Sequence, residues 1–186
     1  MIIHSDENYT PAYFIDPIRE FSGGFSLDPF SSREANETVK ASRFLTKEQD
    51  AFAYDWHNHI IDNNVHSYQW EEEENMCVWC NPPYSRKLIL PCVKKFLDYI
   101  PDHEGFLLLN SSTSSKAYHL AFNACDAILF PRKRINFVNP YKESNNSNEY
   151  EQTLFYYGTR RASFIAHMND LCSGTRRLDS NKYYCQ

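Results

Sequence analysis

Cys77-Val78-Trp79-Cys80-Asn81-Pro82-Pro83-Tyr84-Ser85 is the stretch on which the reading of this chain turns. An apolar run stops abruptly at Asn-Pro-Pro-Tyr, and a segment with helical apolar spacing follows. The two prolines fix φ and remove two N–H donors, so neither strand nor helix continues through them. Each also pushes the residue before it towards extended geometry. The pattern predicts a stiff loop at the carboxyl end of a buried strand, which is where open α/β sheets bind ligands.

Such a loop suits one kind of chemistry. The Asn81 side-chain carbonyl accepts hydrogen bonds, and the Pro82 carbonyl, read as pointing outward, is a second acceptor. Two acceptors held rigidly together match a planar –NH2 group, which offers two donors. Tyr84 adds an aromatic face able to stack on a planar base, worth about 1–3 kcal/mol. A rigid turn with no chemical role is the competing reading, and it explains Pro-Pro alone better than the whole pattern.

Length and composition set bounds. A chain of 186 residues fits one domain with a sizeable core. Aromatics are 16 % of residues, which excludes wholesale disorder. A net charge of −5 is not that of a protein that coats nucleic acid passively. Residues Met1 to Glu7 lack a basic segment leading into an apolar core, and no run approaches a membrane span. No secretory leader is therefore expected, a cytoplasmic location is, and the six cysteines should be reduced thiols. Cys77 and Cys80 form a Cys-x-x-Cys pair, but strand positions three apart face opposite ways. The two thiols then pack in the core and share no metal, and none is expected elsewhere.

Along the chain, Ala12 to Phe21 has helical spacing, with Thr10 as N-cap, Pro11 in the first turn and Pro17 shortening or kinking the helix. Gly23-Gly24 reads as a turn and Phe25 to Asp28 as a short strand ended by Pro29. An aspartate at that edge is well placed to hold a ligand's amine or ribose hydroxyls. Glu34 to Ser42 is a loop or short helix, Arg43 to Thr46 a strand, and Thr46 with Glu48-Gln49 a helix start. His57-Asn58-His59 and His66 lack the further spaced ligands that a metal wants. Ile60 to Trp70 reads as a solvated loop, and Glu71 to Glu74 as an acidic run that faces away from any polyanion. Leu88 to Ile100 keeps a helical period, with Ser85 as cap and Pro91 breaking a backbone bond. Gly105 to Leu109 reads as a buried parallel strand. Ser115 to Cys125 is a helix, Asp126 to Phe130 a strand, Tyr141 to Tyr150 a polar loop, and Thr153 to Tyr157 an antiparallel strand. Pro131-Arg132-Lys133-Arg134 is the densest basic cluster, suited to phosphate contact or to a solvated turn. Residues 159–186 form a basic tail.

Asn81-Pro82-Pro83-Tyr84 resembles the catalytic motif of amino-methyltransferases that use S-adenosylmethionine. The wider chain resembles the phage-type DNA N6-adenine methyltransferase (Dam) family: Tyr9-Thr10-Pro11, Leu27-Asp28-Pro29-Phe30, the Phe44 to Trp56 stretch and the Asn81 loop stand in that family's order, over about residues 9–158. The resemblance implies a Rossmann-like α/β fold, mostly parallel with an antiparallel edge strand, in one domain over residues 1–186. It implies catalysis by Asn81, Pro82, Pro83 and Tyr84 on an adenine flipped out of DNA. Cofactor contacts would come from Tyr9, Thr10, Pro11, Asp28, Pro29, Asn36, Asp50 and Phe52, with Asp50 and Phe52 flanking the cofactor's adenine unless they are surface charge and core aromatic. DNA contact would come from Arg132, Lys133 and Arg134. If phage-encoded, the protein would work in the bacterial host's cytoplasm.

One departure stands out. The usual Gly-x-Gly after the first strand is replaced by Phe30-Ser31-Ser32-Arg33, and serines reach positive φ only at a cost. The alternatives are a methyltransferase for RNA or protein glutamine, or an inactive nucleic-acid-binding homologue that has lost the cofactor.

Overall fold

The computed structural model describes residues 8–56, 76–139 and 150–176. The expectations for His57, His59, His66, residues 60–70, Glu71 to Glu74, residues 141–149 and Arg177 lie outside the described residues.

Seven strands form one sheet. In chain order the elements are α1 (Ala12–Ser22), β1 (Leu27–Asp28), α2 (Arg33–Val39), β2 (Arg43–Phe44), β3 (Cys77–Cys80), α3 (Ile89–Tyr99), β4 (Glu104–Asn110), α4 (Lys116–Ala124), β5 (Ala127–Pro131), β6 (Gln152–Tyr157), α5 (Arg161–His167) and β7 (Cys172–Arg176). The strand order is β2-β1-β3-β4-β6-β5-β7. β2, β1, β3 and β4 are mutually parallel. β6 pairs antiparallel with both β4 and β5, and β7 pairs antiparallel with β5. The antiparallel edge is therefore β7, while β6, read correctly as antiparallel, is inserted inside the sheet.

Alternation along the central strands loads both faces. Val78, Cys80, Leu107, Leu109, Phe155 and Tyr157 pack with Val93 and Phe96 of α3 and Ala117 and Ala121 of α4. Cys77, Trp79, Phe106, Leu108, Leu154 and Tyr156 pack with Phe14, Ile15 and Ile18 of α1 and Phe164 of α5. Strands covered on both faces read as unbroken apolar runs, which is why β3 and β4 are conspicuous in sequence. The same alternation puts Cys77 and Cys80 in opposite cores, so no single ion can join them.

Five local expectations are corrected. Pro11, not Thr10, is the N-cap of α1, and no side chain caps it. The helix also runs through Pro17, because one lost backbone bond is outweighed by burying Phe14, Ile15 and Ile18. It ends at Gly23, whose φ of 79° lets its N–H and that of Gly24 reach the last carbonyls. In α3, Pro91 is the third helical residue, where N–H groups have no intrahelical partner, so it breaks nothing. Ser85 contributes its backbone carbonyl, which accepts from Leu88 N and Ile89 N at 3.0 Å each, and not a side-chain cap. At Thr46 one half of a capping box forms, with Thr46 N donating to Gln49 Oε1 at 3.1 Å, but the residues after it, 47–54, form turns and bends and no helix.

Close packing at one glycine ties α3 to the sheet. A Cβ on Gly105 would overlap Ile100 Cδ1 and lie 3.1 Å from Phe96 Cζ and 3.3 Å from the Val78 carbonyl. Gly105→Ala should destabilise by about 1–3 kcal/mol. Calorimetry should then show a melting temperature lowered by about 2–4 °C per kcal/mol; an unchanged melting point would show that this seam is slack.

Candidate active site

Strand order reverses between β1 and β3. β1 continues through α2 to β2 on one side, while β3 pairs with β4 on the other. Leu27 and Val78 are partners, so the two carboxyl ends, Asp28-Pro29 and Asn81-Pro82, emerge side by side. They open on a cavity of about 350 Å3, in the range of small-molecule sites. The topology alone places a ligand crevice there.

Asn81 stands at the mouth with its side-chain amide fully oriented. Nδ2 donates to the Asn8 carbonyl at 3.1 Å and to Thr10 Oγ1 at 3.3 Å. Oδ1 accepts from the Tyr84 hydroxyl at 2.7 Å, and that hydroxyl also leans on the Leu108 carbonyl at 3.3 Å. Burial pushes the Tyr84 phenol well above its ordinary value, so it remains a donor. An amide oxygen has two lone pairs, and Tyr84 takes one. Pro82 is buried and lines the cavity. Its carbonyl accepts no hydrogen bond among the described residues. Pro83 lines the same mouth.

Asp28 forms the inner wall with only 3 % of its surface exposed. Its Oδ1 accepts from Phe30 N at 3.3 Å, and Ser31 adds a side-chain bond. These do not offset burial, which pushes the carboxyl up to about 7. Further out, Asp50 and Phe52 share a turn in which Asp50 Oδ1 accepts from Phe52 N at 3.1 Å. Lys95 of α3 anchors that turn by donating to the Phe52 carbonyl at 3.1 Å.

Phe30 is the residue that sequence reasoning missed. The sequence reading places it in the Leu27-to-Phe30 motif but gives it no role, yet it lines the cavity and meets Phe52 at 5.8 Å between ring centroids. Trp56 supports it edge-on at 5.9 Å. Its signal was its place directly after Asp-Pro at a strand's carboxyl edge. Nor does the loop need glycine: among the described residues only Lys40 and glycines have positive φ, so residues 29–33 are relaxed. Ser32 serves instead as N-cap of α2, accepting from Ala35 N at 3.1 Å.

The cavity thus brings together Tyr9, Thr10, Asp28 and Pro29 with Asp50 and Phe52, and with Asn81 to Tyr84. It leaves out two expected cofactor residues. Pro11 is committed to starting α1. Asn36 spends both ends of its amide on Ala41, donating to its carbonyl at 3.1 Å and accepting its N–H at 2.9 Å, so it closes α2 and does not face the site. Arg132, Lys133 and Arg134 are exposed beyond β5. Arg132 donates to the Asn169 carbonyl at 3.0 Å, and Arg134 lies 3.8 Å from Glu151. The segment after them returns to the site, where Val138 and Tyr9 exchange backbone bonds of 2.9 and 3.0 Å.

A switch-point crevice beside an Asn-Pro-Pro-Tyr loop, in a mostly parallel sheet with β6 inserted antiparallel and β7 antiparallel at the edge, is consistent with a Rossmann-like methyltransferase fold. Comparison with protein families makes the assignment narrower: the family described as DNA N-6-adenine-methyltransferase (Dam) matches residues 3–170, and the chain belongs to it. No curated protein matches the chain. No helix among the described residues is long and apolar enough to cross a membrane.

Proposed function

We propose that this protein methylates adenine N6 at specific sites in DNA, with S-adenosylmethionine as donor. The family supports DNA adenine as substrate, and the observation that carries the chemistry is the orientation of the Asn81 amide. Its nitrogen is turned inward to Asn8 and Thr10, leaving the oxygen as acceptor in a cavity that Pro82 also lines.

The donor set fits the cofactor. A nearly fully buried carboxyl whose pKa is raised by burial invites a cation, and Asp28 would take the ammonium end. Phe30 and Phe52 offer aromatic faces for an adenine ring, and Asp50 an acceptor for its amino group. When bound there, S-adenosylmethionine supplies an electrophilic methyl on a sulfonium centre.

The residues at the mouth act on the target base. Extruding it from the duplex costs a few kcal/mol. Asn81 Oδ1 and the Pro82 carbonyl would accept its two amino N–H bonds, drawing the nitrogen towards sp3 geometry and localising its lone pair for attack. Tyr84 would stack on the ring, its hydroxyl giving up the Asn81 oxygen to the base. Holding the nitrogen at roughly 3–3.5 Å from its target provides most of the acceleration. Arg132, Lys133 and Arg134 would meet the phosphates.

The inactive-homologue reading rested on the missing glycines, and a loop without positive φ removes that motive. Transfer of tritium from methyl-labelled cofactor should label unmethylated genomic DNA, with the counts in N6-methyladenine after nuclease digestion. Label confined to RNA or protein, or absent from all three, would overturn the proposal.

A further inference from the structure

We propose that the Asn8 carbonyl and the Thr10 hydroxyl are positioning groups that set the polarity of the Asn81 amide; this rests on the reading of Asn81 Oδ1 as the acceptor for the target amine. The two ends of an asparagine amide are nearly the same shape and opposite in hydrogen-bonding sense. Rotated by half a turn, Asn81 would point N–H donors at the donors of an amino group, and the site would repel its substrate. Something must hold it one way round.

The Asn8 carbonyl does so without ambiguity. A backbone carbonyl only accepts, so the atom 3.1 Å from it has to be the nitrogen. Thr10 Oγ1, 3.3 Å away, takes the second N–H. Thr10 is 97 % buried, so water does not compete for that bond. On the opposite end, Tyr84 donates into Oδ1 at 2.7 Å and marks the direction from which a donor reaches it. The segment carrying Asn8 and Thr10 is itself fixed by the paired backbone bonds between Tyr9 and Val138. Thr10 therefore acts through Asn81, whereas a cofactor contact would act on cofactor affinity.

An aspartate at position 81 exposes the same logic. Ionised, it would set a carboxylate oxygen against the Asn8 carbonyl. Protonated, it donates its O–H to that carbonyl and keeps the other oxygen as acceptor, which restores the polarity of the amide. The titratable groups around it are Tyr9, Asp28, Lys47 and Asp50 on the cavity wall, Cys80 before it and Tyr84 after it. All are common to both proteins, so the ratio of variant to parent turnover isolates position 81.

Turnover with tritiated cofactor and unmethylated genomic DNA is measured for Thr10→Val, Thr10→Ser and Asn81→Asp, and affinity for S-adenosylhomocysteine by calorimetry. Thr10→Val should lower kcat about tenfold, one lost hydrogen bond's worth, with affinity for S-adenosylhomocysteine unchanged. Thr10→Ser, which keeps the hydroxyl, should restore it. The Asn81→Asp ratio should rise as pH falls, by up to about tenfold per unit. Unchanged kcat in Thr10→Val, a loss that appears in cofactor affinity instead, or an Asn81→Asp ratio that does not rise overturns the positioning role. Turnover retained in Asn81→Ala would instead remove the reading beneath it.

Discussion

Asn81→Ala is expected to reduce methyl transfer by about a thousandfold or more while leaving affinity for S-adenosylhomocysteine within about threefold. The size follows from what an aimed polar group contributes in a water-poor site, where loss of one costs about 10²–10³ in rate. Here the target amine would also lose its alignment. Alanine removes the acceptor, and it strands the groups that aimed it: Thr10 Oγ1 and the Asn8 carbonyl lose their donor, while Tyr84 keeps only the longer bond to the Leu108 carbonyl. Two changes then act together, a missing oxygen and a freed tyrosine. Because Asn81 stands at the mouth and the proposed cofactor contacts Asp28, Phe30 and Phe52 lie elsewhere on the cavity wall, the loss should fall on kcat. Single-turnover transfer of tritium to DNA, with calorimetry for the cofactor product, checks both halves. Turnover within tenfold of the parent would remove Asn81 from the mechanism, and equal loss of cofactor affinity would make it a structural residue.

What the sequence disclosed, and what it hid, divides by the range of the interactions involved. β3, β4 and β6 were legible because strands buried on both faces carry near-continuous apolar runs, and the Asn81 loop because two adjacent prolines permit so little else. β7 and α5 were lost in what read as a tail. Cys172-Ser-Gly-Thr-Arg has no apolar period, and the strand exists because its backbone pairs with β5 from Ala127 to Pro131. α5 buries Phe164 alone, too little for a periodic signal. Pro91 misled because a proline penalty depends on its offset from a helix start that is itself uncertain. Asn36 misled because an asparagine that closes a helix and one that faces a ligand look the same in one dimension. The bond from Asn81 to Thr10 spans 71 residues, and no local pattern announces it. Thr10 was assigned to the site for its neighbours in sequence; its hydrogen bond is to the asparagine across the crevice.

Asp28→Asn should make the protein without cofactor more stable above neutral pH and at the same time weaken cofactor binding by about a hundredfold or more. Both effects come from one buried carboxyl. Burial raises its pKa to about 7, against 3.8 for an unperturbed aspartate, and the bonds from Phe30 and Ser31 only partly oppose it. A carboxyl raised in the folded state contributes stability that is fully present below about pH 4 and is lost as pH rises through about 7. The loss amounts to a few kcal/mol, at about 1.4 kcal/mol per unit. Above pH 7 the protein carries an uncompensated buried charge, and an uncharged amide relieves it, so the melting temperature at pH 8 should rise. A ligand ammonium would supply the missing countercharge, and removing one member of a buried pair costs about 3–5 kcal/mol. In the parent, the cation would bind the ionised carboxylate, so affinity should fall by up to about tenfold for each unit below pH 7, and Asp28→Asn should lose that slope. Calorimetric titration with S-adenosylhomocysteine from pH 5.5 to 8, beside melting curves at the same values, measures both. An affinity that neither follows pH nor responds to the substitution would place the ammonium elsewhere. A variant that melts lower at pH 8 would mean that the carboxylate already has its partner within the chain.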